Sequence, residues 1–340
     1  MTATTSTRFR APPKALFSSH FARQRTTVYP DTLGATRAGP SAAVTANSGP
    51  ATLSVRTLAW SPLGNLLATG SGTTLRVWNP EKPNIRHSTE MVRAHGQGIE
   101  RVAWNPAREA ELASCSPDGM VRFWDVRSKG SIGEVKVGGE CFTLAWKPDG
   151  EEVVVGRKDD TLIRIDRGKL AQVDSYRQPV QTNQTAFSWS GKELFLTTGD
   201  GSVKVLDYPS MNHLYTINAH TSSCYAIEMN APATHLAVGG SDALITLWDT
   251  TNWVCQRTLD HMTGPVRSIS FSCDGAYIVG GSDEGSGIEI VHAESGDYVH
   301  RVDFALPAPV VQWSPKDYSL AYAFGEGHAG LRIIGSFGLS

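Results

Sequence analysis

The sequence predicts an all-β fold built from seven copies of one unit of short antiparallel strands, and three observations predict it. The first is a period. A large apolar residue, usually followed by a short turn, falls at Trp60, Trp104, Trp146, Trp189, Met229, Phe271 and Trp313, in steps of 44, 42, 43, 40, 42 and 42 residues. The second is a closing slot 17 to 21 residues after each anchor, at Trp78-Asn79, Trp124-Asp125, Ile165-Asp166, Leu206-Asp207, Trp248-Asp249, Val291-His292 and Ile334-Gly335. The third is the patterning between them. Apolar and polar residues alternate in short runs bounded by Pro, Gly or Asp, which is the period of half-buried strands. A near-constant period of this length marks one supersecondary unit stacked against its copies, because a single unit cannot bury its own apolar face.

The clearest unit is Met91 to Arg127, MVRAHGQGIERVAWNPAREAELASCSPDGMVRFWDVR. It opens on Ala94-His95, alternates up to Trp104, breaks at Asn105-Pro106 and resumes at Leu112-Ala113-Ser114. It then turns at Pro117-Asp118-Gly119 and closes on Trp124-Asp125. This unit resembles a WD40 repeat, one blade of a β-propeller, so the chain is expected to be a seven-bladed WD40 β-propeller. Only Trp124-Asp125 and Trp248-Asp249 keep the full closing pair, and the other blades are placed by register. The resemblance implies a structural tetrad in the second blade: His95, Ser114 or Ser116, Asp118 and Trp124. Such a chain satisfies each buried polar group in turn. In the fifth blade His220, Asp242 and Trp248 occupy the same positions, but Val238 or Gly240 stands where the hydroxyl would be, so that network is expected to be shortened.

Length and composition fit this reading. A repeat body over residues 51–340 accounts for most of the 340 residues as one domain, and 40% hydrophobic with 19% charged residues is ordinary for a globular chain with a core. A net charge of -2 excludes a bulk basic nucleic-acid binder. Five scattered cysteines, Cys115, Cys141, Cys224, Cys255 and Cys273, without a Cys-x-x-Cys, suit reduced core thiols rather than disulfides or zinc. No apolar run approaches the roughly 20 residues of a membrane span, so no membrane partner is expected.

The N-terminus differs. Residues 1–20 read as a disordered basic tail, because Arg8, Arg10, Lys14, Arg23 and Arg25 all precede the first acidic residue, Asp31. Within residues 21–50, Phe21 to Tyr29 is the strand-like piece, and Gly34 to Pro50 reads as a connector. The chain ends soon after the third strand of the seventh unit, leaving an edge of unpaired backbone groups. The N-terminal strand is expected to supply the missing fourth strand and close the ring.

No catalytic, cofactor-binding or metal site is expected. His95, Ser114 and Asp118 contain the letters of a hydrolase, but no Gly-x-Ser-x-Gly turn accompanies them, and there is no phosphate-binding Gly-rich loop or His-Glu-x-x-His. Asp159-Asp160 falls at a turn and reads as turn chemistry. Asn183-Gln184-Thr185 is a glycosylation sequon without a secretory signal. The tryptophans at the anchor slot read as a packed position repeated around the ring rather than a base-stacking platform.

A narrower resemblance covers Asp118 to about Val302. The residues WDVR (Trp124 to Arg127), WKPDG with VGRKDD (Trp146 to Asp160), LDYP (Leu206 to Pro209), INAHTSSC (Ile217 to Cys224), SDALITLWD (Ser241 to Asp249) and PVRSISFSCDG (Pro265 to Gly275) resemble the THO complex subunit 3 family, a propeller subunit of the nuclear THO/TREX assembly. The resemblance implies a non-enzymatic nuclear scaffold that couples transcription to mRNP assembly and mRNA export. Its implied partners are other, large helical THO subunits, a DEAD-box RNA helicase reached through the complex, and RNA only weakly or indirectly. The alternative is a WD40 adaptor of a chromatin or ubiquitin-ligase complex that reads a peptide at the propeller face.

Overall fold

Strand follows strand outward in every unit, so each unit is an antiparallel sheet whose first strand lies innermost and whose last lies at the rim. The computed structural model describes residues 13–29, 54–91, 93–325 and 330–335; the expected tail up to residue 12 and the expected connector at 34–50 lie outside the described residues. Blade 1 is Val55–Trp60, Leu67–Ser71, Thr74–Trp78 and Thr89–Met91; blade 2 is Arg101–Trp104, Glu111–Cys115, Met120–Asp125 and Gly130–Lys136. Blade 3 is Cys141–Trp146, Glu152–Arg157, Thr161–Asp166 and Ala171–Arg177; blade 4 is Thr182–Phe187, Glu193–Thr198, Ser202–Asp207 and His213–Asn218. Blade 5 is Cys224–Met229, His235–Gly240, Ile245–Asp249 and Cys255–Leu259; blade 6 is Val266–Phe271, Tyr277–Ser282, Ile288–His292 and Tyr298–Val302. Blade 7 takes Val310–Trp313, Leu320–Ala323 and Leu331–Gly335, and its fourth strand is Arg25–Tyr29. That strand runs antiparallel to Leu331–Gly335 with Thr27 opposite Ile333. The fold is a seven-bladed β-propeller.

The core lies between blades rather than within any one of them. Each second strand is buried almost throughout, as in Leu67–Ser71 and Tyr277–Ser282, because both faces of the sheet meet a neighbouring blade. A separate apolar cluster fills each junction: Ala59, Leu75 and Trp104 belong to the one between blades 1 and 2, and Tyr29, Trp60 and Ile333 to the one between blades 7 and 1. The tight turns bring successive blades into close approach. Gly201 has φ +88°, and a Cβ there would stand 2.4 Å from the carbonyl of His220.

Three expectations are corrected. First, the inner strand of blade 4 ends at Phe187, which is 41 residues after Trp146 and 42 before Met229. Trp189 lies beyond the strand and is 56% exposed, so it is no core position. Its indole N–H donates to the Asn230 carbonyl at 3.0 Å, which holds the ring against the adjoining turn. Second, Cys255 is exposed, unlike the buried Cys115, Cys141 and Cys224. Third, part of the expected tail is a helix, Lys14–Phe21, and the expected strand begins only at Arg25.

That helix has a physical basis in spacing. Phe17 and Phe21 are one turn apart and so share a face, and both are buried. Phe17 stacks on Tyr277 with ring centroids 3.8 Å apart and meets Tyr318 edge-on, while Phe21 meets Trp313 edge-on at 5.5 Å. Lys14 ion-pairs with Asp297 and bonds Ser295 Oγ at 2.6 Å. The helix therefore spans blades 6 and 7 just before the strand that joins blade 7.

A ladder of truncations should separate these contributions. Removing residues 1–12 is expected to leave the melting temperature unchanged. Removing residues 1–22 strips two buried phenylalanines and is expected to destabilise by about 3–5 kcal/mol or more. Removing residues 1–30 also bares the edge of Leu331–Gly335 and should drive aggregation. Thermal unfolding followed by circular dichroism checks the order; equal melting of all three would mean that blade 7 does not need its N-terminal strand.

Candidate functional site

The polar residues singled out by sequence come together at the seams between blades. In blade 2 the indole N–H of Trp124 donates to Ser114 Oγ at 2.9 Å, and Ser114 lies 2.7 Å from His95 Nε2. His95 Nδ1 faces Asp118 at 3.1 Å, and the Gly96 N–H donates to the same carboxylate at 2.7 Å. Burial holds His95 below its ordinary value against the pull of Asp118. Burial would raise Asp118, but the Gly96 N–H, the His95 ring and the Met120 N–H outweigh it and leave the carboxyl below its ordinary range. The chain is thus consistent in direction: indole to hydroxyl, hydroxyl to neutral imidazole, imidazole to carboxylate. Ser116 is not a member of this chain; its hydroxyl accepts from the Asp118 N–H at 3.3 Å.

Blade 5 corrects the expected shortening. Val238 does occupy the hydroxyl position, and its carbonyl lies 3.1 Å from His220 Nε2. The missing hydroxyl comes from the adjacent strand: Thr246 Oγ1 accepts from Trp248 Nε1 at 2.9 Å and lies 3.3 Å from His220 Nε2. With His220 Nδ1 at 3.0 Å from Asp242, the network is complete by a different route. The sequence signal was Thr246, two residues before Trp248 and therefore on the same face of the strand. Among the described residues, blade 1 keeps one link of the chain, Trp78 Nε1 to Thr69 Oγ1 at 2.9 Å.

Around the centre, side chains cross from one inner strand to the next. The N–H of Val102 donates to Thr57 Oγ1 (3.2 Å), that of Thr185 to Thr143 Oγ1 (3.2 Å), and that of Ile227 to Gln184 Oε1 (3.3 Å). The N–H of Trp313 donates to Ser270 Oγ and that of Trp60 to Gln312 Oε1, each at 3.0 Å. The anchor indoles reach back: Trp60 to the Gln312 carbonyl (3.1 Å), Trp104 to Ala59 (2.8 Å) and Trp146 to Ala103 (3.0 Å). At these three positions the anchor is a donor as well as a packed residue, while the Trp313 indole N–H has no partner among the described residues. Asn183 of the sequon donates to the Cys224 carbonyl at 2.8 Å within this belt.

One member of the belt is ionisable, and sequence reading missed it. Glu228 Oε1 accepts from the Phe271 N–H at 3.0 Å and lies 3.3 Å from Ser270 Oγ. Enclosure by the channel wall pushes this carboxyl up to about 7, against those two hydrogen bonds. Gln312, one blade-pair further round, makes the same bond to Trp60 with a neutral amide. Elsewhere, Asp159 pairs with Arg157 at the blade 3 turn and is held down at about 2, first by that partner. Among the described residues no group of three or more His, Cys, Asp or Glu is placed to hold a metal ion, and no helix is long and apolar enough to cross a membrane.

Comparison with known proteins bears on this geometry. The family described as WD domain, G-beta repeat, matches residues 44–79, 87–125, 211–249 and 253–286. The chain is 36% identical over 271 residues to THO complex subunit 3 of Arabidopsis thaliana, covering 79% of this chain and 86% of the relative. The chain belongs to the THO complex subunit 3 family. It is also 30% identical over 243 residues to WD repeat-containing protein AAC3 of Dictyostelium discoideum, over 64% of this chain but only 51% of that protein. The β-propeller domain of Myceliophteria thermophila Cps50 (Swd1) superposes with a TM-score of 0.74 at 17% identity, covering 82% of this chain and 96% of that one, which is a likeness of fold. One residue of the stretches that carry the resemblance to the THO complex subunit 3 family, Tyr208 of LDYP, has structural work at the seam of blades 3 and 4. The Tyr208 hydroxyl donates to Glu152 and accepts from Arg164 Nε at 3.1 Å, and the Tyr208 ring meets Phe187 edge-on at 4.9 Å.

Two predictions follow from these seams. Asp118→Ala and Asp242→Ala are each expected to cost about 1–3 kcal/mol, because each leaves a buried imidazole unpaired, and Thr246→Val should cost a similar amount by orphaning the Trp248 N–H. Denaturant unfolding checks this; a silent Thr246→Val would restore the shortened network.

The second concerns pH. A carboxyl raised in the folded state contributes stability that is present below the unfolded value of 4.5 and lost as pH rises towards 7. Glu228→Gln keeps the acceptor and removes the charge, so the variant should match the wild type near pH 4.5 and exceed it by up to about 3 kcal/mol at pH 8. Paired urea melts across that range measure the difference, and a pH-independent difference would contradict it.

Proposed function

We propose that this chain is a non-enzymatic scaffold subunit of a nuclear THO/TREX-like complex that couples transcription to mRNP assembly and mRNA export. The observation that carries the reading is the relationship to THO complex subunit 3, which runs through most of both chains. The geometry supports the scaffold half. His95, Ser114 and Asp118 are used up in a buried chain, with Ser114 fully inaccessible and bonded to both His95 and Trp124, so the serine has no approach for a substrate. What the propeller offers instead is faces, rim and channel for other proteins. Its expected partners are the large helical THO subunits, with a DEAD-box helicase reached through them.

RNA is expected to bind weakly and through the N-terminal basic residues. Lys14 is already paired with Asp297, so fewer of those charges are available than the sequence suggested. Phosphate neutralisation drives such affinity, which should fall steeply with salt.

Affinity purification of the tagged chain from nuclear extract, with mass spectrometry of the captured proteins, tests the reading. Recovery of helical THO subunits is the expected result. Recovery of histone-modifying or cullin machinery in their place would favour the chromatin or ubiquitin-ligase adaptor. Titration of labelled single-stranded RNA at low and physiological salt should show weak, salt-sensitive binding, and salt-insensitive binding would reveal a dedicated RNA surface.

A further inference from the structure

Blade 4 lacks the tetrad, and the loss has a shape. Gln178 stands nine residues before Phe187, where His95 and His220 stand nine before Trp104 and Met229. Leu194 pairs with Leu206 as Leu112 pairs with Trp124, which puts Leu206 at the tryptophan position and Leu196 at the serine position. Asp200, without an imidazole, turns to the hydroxyls of Thr198 and Ser202. An isobutyl group fills less than an indole. A cleft of about 550 Å³ opens at this place, between blade 4 and the outer strand of blade 3, and Gln178, Leu196 and Leu206 all line it. The apolar cluster at this junction is also the smallest of those between blades.

The lining is two-sided in character. Leu196, Leu206 and Met211 form an apolar floor, while Arg177, Lys204 and His213 stand around it with no Asp or Glu among the lining residues. Arg177 makes no ion pair among the described residues, and Lys204 Nζ reaches Thr216 Oγ1 at 3.3 Å rather than a carboxylate. Thr182, at the cleft wall and 2% exposed, has a buried hydroxyl with no hydrogen-bond partner among the described residues. Buried polar groups are ordinarily satisfied, so this one is a place where a ligand group would complete the wall.

We propose that the cleft between blades 3 and 4 is a docking site for an acidic peptide segment of a partner protein. An apolar side chain of the segment enters the Leu196, Leu206 and Met211 floor, and its carboxylates meet Arg177 and Lys204. The volume suits a few side chains, lying inside the range of about 300–1,000 Å³ for ligand sites. Charge complementarity selects an anion, and the apolar floor selects a peptide over a nucleic acid. A single strand of RNA needs a longer basic track and open aromatic faces for stacking. Here the lining offers a single tyrosine, Tyr176, whose hydroxyl is already tied to Asp174 at 2.8 Å, and two basic side chains that form no track. The inference does not depend on which assembly the chain joins.

Panning a phage-displayed library of random linear peptides on the full-length protein tests it. Enriched sequences are expected to be acidic and to carry a Leu, Ile, Met or Phe. Fluorescein-labelled synthetic copies should lose on the order of tenfold or more in affinity, by anisotropy, for the exposed Arg177→Glu and for the half-buried Lys204→Glu, with an unchanged melting temperature showing that each variant is folded. Leu206→Trp, which puts back the indole, should fill the cleft and abolish binding while the melting temperature holds or rises. Failure to enrich any binder would overturn the proposal, as would enrichment of neutral or basic sequences. Affinities unchanged in both charge reversals, or displacement of the peptide by oligo-uridine at lower concentration than by the peptide itself, would do the same.

Discussion

The ring depends on hydrogen bonds that cross from one inner strand to the next. An inner strand is the edge of its sheet, and its outward N–H and C=O groups have no fifth strand to pair with. Here they are met from the neighbouring blade by whichever group the sequence supplies: an indole at Trp104 and Trp146, a hydroxyl at Thr57, Thr143 and Ser270, an amide at Gln184 and Gln312, a carboxyl at Glu228. Each bond is worth only about 1 kcal/mol net, whereas an orphaned buried group costs more. Since the belt is closed, losing one junction frees both of its neighbours. The anchor slot is thus constrained first by size; a tryptophan adds an indole donor at Trp60, Trp104 and Trp146, whereas the buried Trp313 indole finds no partner among the described residues.

The outer seams follow a different rule. They tolerate several solutions so long as no polar group is left alone. Blade 2 uses the full chain from Trp124 to Asp118, and blade 5 replaces one hydroxyl by Thr246 from the next strand. Blade 3 replaces the histidine, serine and tryptophan of the chain by Val137, Val155 and Ile165, and its remaining aspartate, Asp159, pairs with Arg157 instead. Blade 4 does neither completely, leaving the Thr182 hydroxyl unpartnered and an open volume beside it. Degeneracy of the repeat is therefore not uniform: replacing all members of a network by well-packed apolar groups is nearly neutral, while replacing some of them leaves space and unmet polarity.

The period and the closing slot made the blades legible, because strand register is a property of spacing and survives loss of the motif letters. Features that depend on a third dimension were less so. Trp189 and Phe187 differ by two residues and so share a strand face; the steps through Phe187 are the more even, but the larger ring drew the anchor to Trp189, and the strand end separates them. Thr246 was hidden because its hydroxyl enters from a neighbouring strand rather than from the usual position. The helix Lys14–Phe21 shows a burial signal of just Phe17 and Phe21 within a basic stretch, and tertiary packing on Tyr277 and Trp313 stabilises what propensity did not announce. Glu228 looked like an ordinary polar residue of an alternating strand; its raised carboxyl arises from enclosure, which sequence does not display.

The letters of the generic repeat and the letters of the narrower family divide between blades. The generic repeat matches blades 1, 2, 5 and 6, where the tryptophan-centred seams of blades 1, 2 and 5 lie. The VGRKDD and LDYP stretches fall in blades 3 and 4, outside those matches, and Tyr208 of the second joins a clamp there: Arg164 reaches Glu152 at 3.0 Å, lies 5.0 Å over the Tyr208 ring, and ties the third strand of blade 3 to the turn that ends the third strand of blade 4. That clamp holds the two blades together, while the missing tetrad leaves a cleft beside the apolar cluster that fills the junction. A fixed hinge point beside an unfilled cleft keeps the opening at a set width, so a ligand would meet a preorganised wall rather than have to order one.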